Sequence, residues 1–402
     1  MRLLIADRFP ERALVELSHL GLEVVYRPEL TSEELPRELE GVTILVVRGL
    51  EVSRLAIEAA RDLDLIVRAG AGVSSIDVRA ASSRGIYVSC CPAKNAIAVA
   101  ELTFALLLAL DRRIPDAVAG LRAGRWEKDE FARAEGLHGK HLGIVGLGAV
   151  GREVLTRARA FGLVPHAYSR ALTPHRAYEA GVGYASSLEQ LASRSQILSL
   201  HLPLVPATRA IVSREVLEAL PDRAILLNTA AAELVDNEAL AEIAPRKGLR
   251  LGLDVFEGEP ATRSGRFRSP LLDLPTAYGT PHIGQSTDQA QAALADETVR
   301  IVRAFLVEGN VPNVVNVCAA SPARFQLVVR HLDRIGVLAN VLGVIKRHGI
   351  NVEEVSNTVF DGAQASAAKV RLAGRPSEAC LAEIRAFDEV LHVDCVALPN
   401  RA

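Results

Sequence analysis

The sequence predicts an α/β protein, with two doubly wound parallel-sheet domains followed by a smaller α+β domain of ferredoxin-like order. Three observations carry that prediction. Short apolar runs alternate with amphipathic, helix-patterned stretches nearly throughout, as parallel βαβ units require. A glycine-rich turn in HLGIVGLGAVG, residues 141–151, follows a strand pattern and precedes a helix pattern. From Phe325 onward the pattern changes to β-α-β-β-α-β.

In the first part, the expected strands are Leu3–Ile5, Val24–Tyr26, Ile44–Val47, Leu65–Val67 and Tyr87–Ser89, with helical stretches such as Pro10–His19 and Ser53–Ala59 between them. One long helix is expected from Ile97 to Leu121. A second strand series runs through His141–Val145, Val164–Tyr168, Ile197–His201, Ala224–Asn228, Leu249–Leu253 and Ala277–Gly279. Thr287–Glu308 reads as one amphipathic helix closed by Gly309, the residue type that best tolerates the left-handed cap. Asn310–Pro322 reads as a strand and linker. The last part places helices at Gly336–His348 and Ser377–Ala386, among strands at Phe325, Val352–Thr358, Ala365–Leu372 and Leu391–Ala397.

A chain of 402 residues is too long for one core and is expected to form two or three domains. With 49% hydrophobic and 23% charged residues and a net charge of −2, bulk charge gives no reason to expect nucleic acid or a membrane surface as partner. The five cysteines, Cys90, Cys91, Cys318, Cys380 and Cys395, include no CxxC pair. They suit a reducing compartment as small buried residues, and no metal site is expected. Met1 opens directly onto a strand-like LLIA run, unlike a signal peptide. The longest mostly apolar run, Ala96–Leu110, contains Glu101 and falls short of a membrane span. The expected location is the cytoplasm.

The glycines at 146, 148 and 151 have the spacing that lets backbone approach a dinucleotide pyrophosphate at a helix N-terminus. An acidic residue normally follows about 20 residues later to receive the adenosine ribose 2′-hydroxyl of NAD. No Asp or Glu occurs between Glu153 and Glu179; the second strand ends instead in Tyr168-Ser169-Arg170. Serine removes a repulsive carboxylate and Arg170 can pair with a 2′-phosphate, which leans towards NADP over NAD. The alternative is that Arg170 is a solvated surface residue.

Six stretches now combine: RAGAGVSSID (68–77), NAIAVAELTFALLLAL (95–110), GLGAVG (146–151), HLPLVPATR (201–209), LGLDVFEGEP (251–260) and TPHIGQST (280–287). In this order the chain resembles the D-isomer-specific 2-hydroxyacid dehydrogenases, in the D-3-phosphoglycerate dehydrogenase branch that ends in an ACT domain. The resemblance implies a discontinuous, flavodoxin-like substrate-binding domain from 1–96 and 285–318, a Rossmann NAD(P)-binding domain at 97–284, and an ACT regulatory domain at 325–402. It also implies homodimers formed through the cofactor domains, or homotetramers. Cofactor contacts are implied for Gly146, Gly148, Ala149, Val150, Gly151, Ser169, Arg170, His201, Pro203, Thr208, Asn228, Thr229, Ala230, Asp254 and His282.

In the family an arginine, a glutamate and a histidine carry the chemistry. The histidine maps onto His282 and the glutamate onto Glu259. A carboxylate beside an imidazole favours the protonated ring, which can give a proton to a carbonyl; the neutral ring can take it back. The arginine position, in N-T-A-R-G-G, is occupied by Ala231 within Asn228-Thr229-Ala230-Ala231-Ala232-Glu233. Alanine cannot clamp a substrate carboxylate, and losing such a clamp commonly costs a factor of roughly 100 to 1000. Departures at three adjacent positions read as divergence rather than a single substitution.

Substrate contacts are implied for Arg48 and Arg68, for the loop residues Ala71, Gly72 and Val73, and for Asn95. Lys94 stands where the branch has glycine. It is either a solvated lysine or a partial replacement for the missing positive charge. In the tail, His331, Asp333, Gly336 and Asn351 match the ACT ligand positions, with Asp333 and Ile335 replacing an asparagine and a proline. The domain is then either an amino-acid sensor, with serine as the expected effector, or a purely oligomerising module. Three functional readings follow from these matches. The first is an NADP- or NAD-dependent dehydrogenase of a small anionic 2-hydroxy or 2-oxo acid, with 3-phosphoglycerate and serine biosynthesis as the nearest guess. The second is an oxidoreductase of a divergent anionic carbonyl compound, and the third a weakly active cofactor-binding regulator.

Overall fold

The computed structural model describes residues 1–260, 264–318 and 321–399. In its first unit, Met1–Asn316, the two series of apolar runs become two all-parallel sheets. The first sheet contains β1 (Arg2–Ile5), β2 (Glu23–Tyr26), β3 (Ile44–Val47), β4 (Leu65–Arg68) and β5 (Tyr87–Cys90), in the order β2-β1-β3-β4-β5. All four residues of β3 are buried, because helices cover both faces of the sheet.

The helix Asp288–Glu308 returns to this sheet, sharing a core of Leu294, Val299, Ile301 and Val302 with Leu3, Ile5 and Val46. Thr287 caps its start by accepting from the Ala290 N–H, and Gly309 ends it at φ 63. Beyond it, the Asn316 side chain accepts from the Val88 N–H at 2.8 Å and the Ser89 hydroxyl donates to the Pro312 carbonyl at 2.6 Å. The strand expected within 310–322 is reduced to one isolated bridge, Ser89 with Val314. Pro312 has no N–H to donate and Asn313 is left-handed at φ 55, so no ladder can extend through them. Residues 319 and 320 of that segment lie outside the described residues.

The second sheet contains β6 (His141–Val145), β7 (Val164–Tyr168), β8 (Gly183–Tyr184), β9 (Ile197–Leu200), β10 (Ile225–Asn228), β11 (Arg250–Leu253) and β12 (Ala277–Gly279). Its order, β12-β11-β10-β9-β6-β7-β8, reverses direction at β6. Ligands of such sheets bind at the carboxyl ends of the strands beside that switch. The single helix expected over 97–121 is two, Ala96–Arg112 and Ile114–Arg122, with Arg113 between them at φ 50. Pro115 is the cause. Inside a continuous helix it would remove one hydrogen bond and clash with the preceding turn, whereas it is tolerated in the first turn of a new one. The first of these helices packs Leu106, Leu107 and Leu110 with Ile144, Ile225 and Leu227.

The second unit begins at Val317 and has the ferredoxin-like order the sequence predicts. Its strands β13 (Phe325–Leu332), β14 (Val352–Val359), β15 (Ala365–Leu372) and β16 (Val390–Ala397) form an antiparallel sheet ordered β14-β15-β13-β16. Helices Val337–Arg347 and Glu378–Arg385 contribute Val341, Ile345 and Ile384 to a core with Leu327, Val329 and Val370. Residues 400–402 of the expected domain lie outside the described residues. Among those described, no helix is long and apolar enough to cross a membrane.

Candidate active site

The glycine turn sits at the exit of β6, where the sheet order reverses. Gly146 has φ 95, and a Cβ there would lie 2.5 Å from the His201 carbonyl oxygen. A Cβ on Gly151 would lie 2.0 Å from the Gly146 carbonyl oxygen. Gly146 is required by its positive φ and by the backbone that leaves β9, and Gly151 by the close approach of the helix to the turn. Gly148 differs, since a Cβ there would meet nothing within 4 Å. That open side lies directly before Ala149 and Val150, the first residues of the helix Ala149–Ala160, whose leading N–H groups attract an anion. The cradle therefore fits a dinucleotide pyrophosphate.

At the exit of β7, Arg170 is exposed and makes no hydrogen bond or close ion pair among the described residues, while Ser169 is half-buried. Such a guanidinium is available to a 2′-phosphate and meets no carboxylate at that position. On the other side of the crevice His201 is buried, and burial pushes its imidazole down to about 3, so it is neutral. Its Nε2 shares a hydrogen with the Ser199 hydroxyl at 2.8 Å, and its Nδ1 has no partner among the described residues. Thr208 donates to the Pro203 carbonyl and accepts from the Val205 N–H, closing its own turn.

The exit of β10 is shaped by Asn228, whose amide donates to the Ala231 carbonyl at 2.8 Å and accepts from the Ala230 N–H at 3.1 Å. Thr229 shares a hydroxyl contact of 2.9 Å with Thr103 on the long helix. Ala231 itself is in ordinary extended backbone and offers only a methyl group.

The exit of β11 carries Asp254, 1% exposed, which holds the loop after β12 in place. One carboxylate oxygen accepts from the Thr280 hydroxyl at 2.6 Å and the Ile283 N–H at 2.8 Å; the other accepts from the Gly284 N–H at 2.8 Å. Burial raises the carboxyl pKa, and these hydrogen bonds oppose the rise. A Cβ on Gly284 would lie 2.8 Å from that second oxygen, so only glycine permits this approach. The latch fixes His282, whose N–H donates to the Asp254 carbonyl and whose φ is 52. Its Nδ1 lies 2.7 Å from Glu259 Oε2, and Glu259 Oε1 accepts from the Phe256 N–H at 2.8 Å. The imidazole is therefore tethered on one nitrogen, and its Nε2 carries no hydrogen bond among the described residues.

The first sheet supplies further polar groups. Asp7 accepts from the N–H groups of Arg48, Gly49 and Leu50, folding the loop that presents Arg48. Arg68, at the end of β4, donates to the Gly72 carbonyl at 2.7 Å. Its Nε is buried without a partner, and burial lowers the guanidinium pKa. The N–H groups of Ala71, Gly72 and Val73 donate to nothing among the described residues, an arrangement suited to an anion. Asn95 reaches Gln285 at 3.4 Å, linking the long helix to the loop of His282.

Lys94 does not supply a free replacement charge. Its amine stands 3.3 Å from Glu297, which is 6% exposed and also binds Arg300 and Asn313. A carboxylate so buried needs those cations, and Arg300 chiefly, with Asn313 and Lys94, pulls it down to about 2. Sequence reasoning missed Asp7, Glu297 and the latching role of Asp254. For Asp7 and Asp254 the available signal was an acid placed directly after, or one residue beyond, a buried strand.

In the C-terminal unit His331 is buried with its Nε2 unpartnered, Asp333 accepts from Ser366, and Gly336 at φ 88 starts the following helix. Asn351 is not with them. The register pairs Leu332 with Ala365 but sets Val352 opposite Leu372, so Asn351 lies at the far end of the sheet. Over eight-residue strands that is roughly 20 Å or more.

Residues 104–284 match the family model described as D-isomer specific 2-hydroxyacid dehydrogenase, NAD binding domain. The chain is 40% identical over 322 residues to a D-3-phosphoglycerate dehydrogenase of Methanocaldococcus jannaschii, covering 78% of this chain but only 60% of that relative's length. It is 41% identical over 278 residues to a hydroxypyruvate reductase of Thermotoga maritima, covering 67% of this chain and 89% of that one. Among solved structures, NAD+-bound 3-phosphoglycerate dehydrogenase of Entamoeba histolytica superposes with a TM-score of 0.66 at 25% identity, over 79% of this chain and 99% of its own.

Proposed function

The chain belongs to the D-isomer specific 2-hydroxyacid dehydrogenase family, and on that premise we propose that it interconverts a small anionic 2-hydroxy acid and its 2-oxo counterpart. The observation that carries this reading is the His282–Glu259 pair, 2.7 Å apart on a loop latched by Asp254. Glu259 holds Nδ1 of the ring, which leaves Nε2 to deliver a proton to a substrate carbonyl oxygen or to take one from a hydroxyl. The nicotinamide, when bound, supplies the two-electron redox chemistry. Gly146, Gly148, Gly151 and the start of the 149–160 helix would hold its pyrophosphate. Ser169 and the exposed Arg170 favour NADP over NAD. Titration with NADH and NADPH, followed by fluorescence, tests this; tighter NADH binding refutes the preference.

With a methyl group at 231, the substrate's acidic end falls to Arg68, Arg48 and the unspent N–H groups of 71–73. Those groups suit a substrate with a second anionic function, and 3-phosphoglycerate is the nearest candidate by the activities named for the relatives. Ala231 favours one further reading, a carbonyl compound that lacks the 2-carboxylate. A panel of 3-phosphoglycerate, hydroxypyruvate, glyoxylate and carboxylate-free carbonyl compounds separates the two. Turnover confined to the last group overturns the first reading.

For the C-terminal unit we infer an amino-acid site shared between two copies, since His331 and Asn351 stand at opposite ends of one sheet. Inhibition by L-serine, abolished in His331→Ala, is the expected result. Unchanged kinetics with serine would leave the unit an oligomerising module.

A further inference from the structure

The exit of β7 carries a second guanidinium beside Arg170. Tyr168, the last residue of β7, accepts through its carbonyl from the Gly146 N–H at 2.8 Å, so this exit is stitched directly to the glycine turn. The chain then turns tightly, closed by the Leu172 N–H donating to the Ser169 carbonyl at 2.9 Å. Thr173 caps the helix Pro174–Glu179 and accepts from the Arg176 N–H at 3.3 Å. From that first turn the Arg176 side chain folds back, and its Nη1 donates to the Ala171 carbonyl at 3.1 Å. With consecutive Cα atoms about 3.8 Å apart, that bond holds the Arg176 guanidinium within roughly 10 Å of the Arg170 Cα, close enough for both side chains to meet one phosphate.

The charge around the pair is one-sided. A guanidinium has five N–H donors. Arg176 spends one on the Ala171 carbonyl, and neither Arg170 nor Arg176 has a close ion pair among the described residues. Glu179, the one acid on the same helix, stands 3.4 Å from His175 instead. Arg176 is exposed, yet it is not simply solvated: its N–H and its guanidinium are both tied to the loop that follows β7. A phosphate monoester carries about two negative charges near neutral pH, so Arg170 alone leaves a 2′-phosphate half compensated.

We propose that Arg176 is a further specificity-determining residue, clamping the adenosine ribose 2′-phosphate of NADP together with Arg170. The proposal rests on the NADP reading given above. Because the Ala171 carbonyl already orders its side chain, Arg176 loses less freedom on binding than a free surface arginine does.

Calorimetric titration of the full chain with adenosine 2′,5′-bisphosphate and with adenosine 5′-monophosphate tests this without nicotinamide or turnover, since the two differ only in the 2′-phosphate. The parent chain should prefer the bisphosphate. Arg176→Gln should weaken the bisphosphate roughly tenfold and leave the monophosphate unchanged, as loss of one charge-assisted contact to the phosphate implies. Arg176→Lys, which keeps the charge without the planar fork, should fall between the two. It decides by the same comparison if the glutamine variant fails to fold. A residue that only holds the loop would change both affinities by the same factor, and that result overturns the proposal. A bisphosphate preference that survives Arg176→Gln removes Arg176 alone and leaves the NADP reading standing. No preference in the parent chain overturns both.

Discussion

Returning a guanidinium to position 231 tests where the substrate carboxylate is held. Ala231 has extended backbone at φ −157 and ψ 141, which any residue adopts. Its turn depends on the Asn228 amide bonding backbone groups of 230 and 231, and neither bond involves the side chain at 231. Ala231→Arg should therefore fold. Two charge-assisted hydrogen bonds to a carboxylate would contribute about 1.5–3 kcal/mol each. Ordering the long side chain costs about 2 kcal/mol, and partial desolvation takes a further share. The remainder is about 2 kcal/mol, or roughly 30-fold in kcat/KM. The assay is kcat/KM on a 2-oxo acid and on a matched carbonyl compound without the carboxylate. The gain should be confined to the 2-oxo acid and smaller for Ala231→Lys, whose point charge lacks the planar fork. A gain below roughly threefold, in a variant with unchanged Tm, would sink the idea that this strand exit faces the carboxylate.

In Gly148→Val the added Cβ meets no protein atom within 4 Å, so stability should change by less than about 0.5 kcal/mol while NADH and NADPH affinity falls more than roughly tenfold; unchanged affinity would place the cofactor elsewhere. Asp254→Asn sets an amide nitrogen against N–H groups in a buried latch. It should cost about 2–4 kcal/mol of stability and roughly 100-fold in kcat, read by thermal unfolding and steady-state kinetics, and full activity would disqualify the latch. Glu297 has a folded pKa of about 2 against an ordinary 4.5, so its contribution is complete above pH 4.5 and is lost as pH falls from 4.5 through 2. That contribution is of order 2 kcal/mol after allowing for the partly exposed Arg300 and Lys94. The Tm gap between the parent chain and Glu297→Gln should close over that range, and a constant gap would contradict the assignment. Lys94→Ala should lower Tm slightly and leave kcat/KM unchanged, because its amine serves Glu297; a tenfold loss in kcat/KM, or roughly 1.4 kcal/mol, would return it to the substrate site.

Much of the fold was legible because its signals are local. Strand ends at β3, β6, β7 and β12 fall where apolar runs stop, and the 288–308 helix ends at the glycine that can adopt its cap. Errors arose where one residue outweighed a pattern. The apolar periodicity of 97–121 runs straight through Pro115, yet the proline's missing N–H splits the helix at Arg113. The apolar run after Asn310 reads as a strand, yet Pro312 and the left-handed Asn313 limit it to a single bridge. The glycine spacing identified three positions, and the coordinates assign them different work: Gly146 and Gly151 relieve clashes with neighbouring backbone, while Gly148 leaves room for a ligand.

By itself the sequence determined the fold class, the glycine cradle, the identities of the His282–Glu259 pair and the alanine at 231, since each is written in consecutive residues or in a motif. Tertiary structure alone decided how charges far apart in sequence divide their partners. Lys94 is drawn to Glu297 because a carboxylate buried in the first core must be compensated there. Asp254 latches the His282 loop because β11 and β12 are hydrogen-bonded neighbours. Electrostatic pairing depends on distance and burial in space, and neither is written in the order of residues along the chain.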